Sequence, residues 1–95
     1  MDSKVLGYDE LLVRLRYFQS DYYTRGQALE VYKILKANSN CLIFNDDLTE
    51  KKFYHQLERL KRSESATDID RYANRFAHAL MQIILLVIKA DYVDD

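Results

Sequence analysis

Residues 65–92 read SATDIDRYANRFAHALMQIILLVIKADY, and this stretch decides the fold. Ile69, Tyr72, Phe76, Leu80, Ile83 and Val87 recur at steps of three and four, with Ala73, Ala77 and Ile84 alongside. That is the stripe of an amphipathic α-helix. Ser65 and Asp68 stand ahead of it as a capping box, in which the hydroxyl and the acid three residues on satisfy backbone N–H groups reciprocally. The spacing predicts a helix over about 66–91, about 37 Å long by helical rise. From Ala77 to Ile88 the run is apolar except for His78 and Gln82. It is too short for a bilayer, which needs about 20 residues. Lys89 and Asp91 follow it without a basic belt, so no membrane role is expected. A helix buried on most of its circumference is the reading.

Working back along the chain, Phe53, Leu57 and Leu60, with Tyr54 beside them, form the apolar side of a helix over about 48–62, and Asp47 with Glu50 offers its cap. Ala28, Val31, Tyr32 and Leu35 make another over about 25–37, opened by a Thr24–Gln27 capping box. Asn38-Ser39-Asn40 is expected to end it, because asparagine tolerates the left-handed conformation. Tyr8, Leu11, Leu12, Leu15, Phe18 and Tyr22 predict a first helix over about 8–22, with Ser3 or Asp9 as possible caps. Cys41-Leu42-Ile43-Phe44 is too short for a helix. It is expected to plug the bottom of the bundle, since no other segment alternates well enough to pair with it as a strand.

The composition agrees. The chain has 95 residues, no proline and two glycines, whereas β sandwiches and barrels need such punctuation. Residues 1–95 therefore read as a single all-α domain, a bundle of about four helices with a long, mostly apolar C-terminal helix. Size scaling lets a chain of this length bury roughly 65 % of its unfolded surface, which is adequate with little margin. At 48 % hydrophobic and 31 % charged the chain is not a disordered or fibrous one. The formal net charge of −1 supplies no global field for a polyanion. The lone Cys41 forms no internal disulfide, and the first residues, MDSKVLGYDE, are not a signal peptide, so a cytoplasmic setting is expected.

Little here points to catalysis. His55 and His78 are the only histidines, and neither has another at i+4; Cys41 is alone; so neither a metal nor a cofactor is expected. Two glycines cannot write a phosphate-binding loop. The acid pairs Asp46-Asp47 and Asp68-Asp70 fall at helix starts, where the helix dipole accounts for them. No enzyme is expected.

Partner binding is better supported. Eight tyrosines exceed what one small core buries with every hydroxyl satisfied, and tyrosine is enriched at interfaces. Tyr17, Tyr22 and Tyr23 form one candidate contact group, of which Tyr17 and Tyr23 are expected to be exposed. Lys51, Lys52, His55, Arg59 and Arg62 form a second, on one side of the third helix. In the last helix Met81, Leu85, Leu86 and Ile88 point away from the core stripe, and are expected to support self-association as a homodimer. The expectation is a small non-enzymatic protein–protein interaction module: a regulator, inhibitor, adaptor, or immunity- or antitoxin-type neutraliser of a larger partner. The alternative is a dimeric nucleic-acid-binding regulator that uses the basic face of helix 48–62.

Overall fold

The computed structural model describes residues 5–20 and 24–93. Four α-helices run through them: α1 (Tyr8–Phe18), α2 (Gln27–Asn38), α3 (Asp47–Arg62) and α4 (Ile69–Lys89). The fold is all-α, with one two-stranded ribbon formed by β1 (Leu42–Ile43) and β2 (Asp91–Tyr92). Short 3-10 turns at Ser39–Cys41 and Ser63–Ser65 follow α2 and α3. Among the described residues no helix is long and apolar enough to cross a membrane.

One apolar core joins all four helices. α4 supplies Tyr72, Phe76, Ala79, Leu80, Ile83, Ile84 and Val87. It packs chiefly on α3, whose Phe53, Leu57 and Leu60 are buried, and also on α1 through Leu11, Leu15 and Phe18. At 21 residues, α4 is about 31 Å long. It is shorter than expected but still outruns α3.

The helix starts differ from those anticipated, and each for a local reason. α3 is capped by Asp46, not Asp47: the Asp46 carboxylate accepts the Thr49 N–H at 2.7 Å. α4 is capped by Asp68, not Ser65: Asp68 accepts the Arg71 N–H at 2.8 Å. Ser65 lies in the preceding turn and donates to the Arg62 carbonyl. In both cases the winning carboxylate has an extended backbone just before the helix, the geometry that lets a side chain reach back to the third N–H. α1 starts after Gly7, with Asp9 in its first turn; Ser3 lies outside the described residues. It stops at Phe18 because Gln19 and Ser20 donate to carbonyls three residues back, tightening the last turn.

α2 departs furthest from its expected form. Its N-cap is Gly26, with a left-handed backbone at φ 94°, rather than Thr24. Its C-terminus uses no left-handed asparagine, since among the described residues no non-glycine residue has positive φ. Asn38 is instead fully buried at the end of the helix, which runs on into the 3-10 turn.

The 41–44 segment is more than a plug. Leu42 pairs with Tyr92 and Ile43 with Asp91 in antiparallel register, and the Val93 N–H donates to the Cys41 carbonyl at 2.8 Å. Leu42 and Phe44 still face the core, and the Phe44 ring lies 5.1 Å from that of Phe53.

Candidate interaction surface

α3 presents two contrasting sides. Phe53 and Leu60 are fully buried and Leu57 nearly so. On the other side Lys51, Lys52, His55 and Arg62 are exposed and Arg59 is half-buried. The structure therefore brings the predicted cations together on one helix face. Arg71 and the capping Asp68, 3.4 Å apart at the start of α4, make the single ion pair among the described residues. None of the α3 cations is neutralised in this way, and Glu58, four residues before Arg62, is not within ion-pair distance of it. Lys61 is engaged differently. Its ammonium lies 5.3 Å from the centre of the Tyr32 ring on α2.

One further residue of this face was not singled out from sequence: Leu48, which is 63 % exposed. The signal for Leu48 lies in its spacing: it precedes His55 by seven residues and so shares its side of the helix.

Between His78 and Lys89 the exposed side of α4 is apolar rather than cationic. Met81, Leu85 and Ile88 are 46 %, 49 % and 44 % exposed. They continue a 4–3–4–3 spacing begun by the exposed Asn74 and His78. Leu86 does not belong to this row; it packs against the core. The other apolar residues between Ala79 and Val87 are buried, so the bundle covers most of what the sequence suggested was in excess.

Tyr17, on α1, is 65 % exposed, and its ring meets Phe18 edge-on at 5.5 Å. α1 packs mainly on α2 and α4, so Tyr17 is offered from a different element than the cations. Tyr22 and Tyr23 lie outside the described residues. Tyr8, Tyr32 and Tyr92 are half-buried and Tyr72 is fully buried, so much of the tyrosine content serves the fold.

The titratable groups with displaced pKa values are structural. The Asp46 carboxyl is held below its usual value, first by the Thr49 backbone N–H, with the nearby charge of Lys52 adding to the effect. The Tyr72 hydroxyl is pushed up to about 12 by burial, helped by the adjoining Glu64 carboxylate. Among the described residues no three His, Cys, Asp or Glu side chains converge as metal ligands would. Set against protein-family models, curated proteins and solved structures, the chain matches none of them.

Proposed function

We propose that the protein is a small non-enzymatic protein–protein interaction module, acting as a regulator, inhibitor, adaptor, or immunity- or antitoxin-type neutraliser of a larger partner. The observation that carries this reading is the row Met81, Leu85 and Ile88, left half-exposed along the C-terminal half of α4, where Leu80, Ile83, Ile84 and Val87 are buried. Its alternating steps of four and three are those of a helix-pairing seam.

The strength of such a seam can be gauged. Fully burying a Leu, Ile or Met side chain is worth about 1.5–3 kcal/mol, so half-exposed ones offer about 1 kcal/mol each. Two copies meeting along the row gain about 6 kcal/mol, against an association cost of about 4–15 kcal/mol. A homodimer built on this row alone is therefore weak. A larger partner that adds contact area is the better fit. A cytoplasmic setting goes with this reading, because Cys41 has no second cysteine to pair with.

Capture from native host extract, followed by mass spectrometry, tests the reading with wild type and Leu85→Lys side by side. A partner held by wild type and lost by Leu85→Lys is expected. No partner held by wild type overturns the module. Sedimentation tests the dimer separately. Dimers at about 100 µM that Leu85→Lys dissolves support self-association through α4, and monomers at that concentration remove it.

The cations of α3, none of them within ion-pair distance of a carboxylate among the described residues, favour a second reading, a dimeric nucleic-acid-binding regulator. Phosphate binding weakens steeply with salt. Failure to shift DNA or RNA even at low salt removes this reading.

A further inference from the structure

We propose that the outward face of α3 is the docking site for an acidic, amphipathic helical segment of a partner protein. This rests on the interaction-module reading and specifies the partner's chemistry. Leu48, Lys51, Lys52, His55, Arg59 and Arg62 fall at i, i+3, i+4, i+7, i+11 and i+14. They therefore share one face, about 21 Å from end to end by helical rise. The opposite side is committed to the core through Phe53, Leu57 and Leu60. Like charges three or four residues apart on one helix face repel each other. Arg59 and Arg62 stand three residues apart with Lys51 and Lys52 on the same face, and no carboxylate among the described residues lies within ion-pair distance of these cations or of His55. An anionic occupant relieves that repulsion.

Two observations select a protein segment over a phosphate backbone. Leu48 stands 63 % exposed at the foot of the cationic face. An apolar side chain of a partner helix covers it, whereas a phosphate offers it nothing. The chain as a whole carries −1, so its remaining surface repels an extended polyanion, while a segment of about four turns meets the cationic face alone. α3 also follows α2 through residues 39–46, which include a 3-10 turn and β1, and not through the short turn of a helix-turn-helix.

The test is fluorescence anisotropy on the full chain with three labelled probes. They are a helical peptide of about 20 residues with a leucine stripe flanked by glutamates, polyglutamate of the same charge, and duplex DNA. The leucine–glutamate peptide is expected to bind more tightly than the DNA at the same salt. The double variant Lys51→Glu, Lys52→Glu should weaken it about tenfold, as should raising salt from about 50 to about 200 mM. Leu48→Ser should weaken the leucine–glutamate peptide about threefold and leave polyglutamate unchanged, since only the former has an apolar stripe to lose. All three positions are exposed, and circular dichroism confirms that each variant is folded. The neutral pair Lys51→Gln, Lys52→Gln should give a smaller loss of the same sign. Absence of peptide binding, equal binding by the charge-reversed variant, or tighter binding of DNA overturns the proposal. A host partner captured equally by wild type and Lys51→Glu, Lys52→Glu overturns it too, yet leaves the interaction-module reading standing.

Discussion

α2 is gripped at both ends, and the two grips use opposite chemistry. At its start, Glu64 arrives from the turn after α3, and its carboxylate accepts the Gly26 and Leu29 N–H groups at 3.1 Å. The Tyr72 hydroxyl donates to the same carboxylate at 2.8 Å and accepts the Ala28 N–H at 3.0 Å. Arg25 lies over the Tyr72 ring, 5.1 Å from its centre. At the other end the grip is an amide. Asn38 donates through Nδ2 to the Ile34 carbonyl at 2.7 Å and accepts the Leu6 N–H through Oδ1 at 2.6 Å. The Tyr92 hydroxyl completes it, 2.7 Å from the Leu6 carbonyl and 3.1 Å from Asn38 Oδ1.

The difference follows from what a helix leaves unpaired. Its first turn has spare N–H groups and a partial positive charge, which an anion satisfies. At its last turn the neutral Asn38 amide adds a donor to the Ile34 carbonyl, which already takes the Asn38 backbone N–H, and offers its oxygen to the Leu6 N–H, all without burying a charge. Asn38 is fully buried, so a charged residue in its place would carry a heavy desolvation cost. Glu64 is only half-buried, and its carboxylate sits among N–H donors and a hydroxyl.

Four measurements break or sharpen this contrast. Asn38→Leu should cost the most, about 3 kcal/mol, because it strands the buried Leu6 N–H and takes the Asn38 oxygen away from the Tyr92 hydroxyl. A chemical-denaturation curve should show it. Tyr72→Phe should follow at about 2 kcal/mol, because it leaves the Ala28 N–H without its acceptor. If Tyr72→Phe proves costlier than Asn38→Leu, the charged grip is the stronger and the ranking is reversed. Gly26→Ala should cost about 1 kcal/mol from backbone strain alone. At Gly26, φ is 94° and an added Cβ would meet no atom within 4 Å, so crowding adds nothing.

The smallest effect shows only at alkaline pH. The Tyr72 hydroxyl rises from 10.0 to about 12 on folding. A group raised in the folded state contributes stability below its unfolded pKa, and that contribution is lost as pH climbs through the folded one. Wild type should therefore lose stability between pH 10 and about 12 more steeply than Tyr72→Phe does. Equal slopes in thermal melts across that window would detach Tyr72 from the alkaline response.

How far the sequence is legible follows the same division. The stripes of α3 and α4 were readable because burial repeats at the helical period, and the cations of α3 because the opposite side of the same helix repeats with it. The caps were located to within one to three residues. Asp46 and Asp47 are the same acceptor, and Ser65 and Asp68 both suit a cap, until the backbone chooses between them. Glu64 as the cap of α2 was not readable, because the capping residue lies 38 positions from Gly26. Asn38 was read for its local tolerance of left-handed backbone, whereas long-range burial decides its role. The β1–β2 ribbon is two residues long on each side, too short for alternation to register.

The bond between Tyr92 and Leu6 joins residues 86 positions apart. During synthesis Leu6 emerges early, and the hydroxyl that will hold its carbonyl does not yet exist. At about 5–20 residues per second the ribosome needs roughly 4–17 s to supply it. Until then the first helix has neither this bond nor the last helix against which to pack Leu11, Leu15 and Phe18. The order of manufacture thus makes the beginning of the chain among the last parts to be secured.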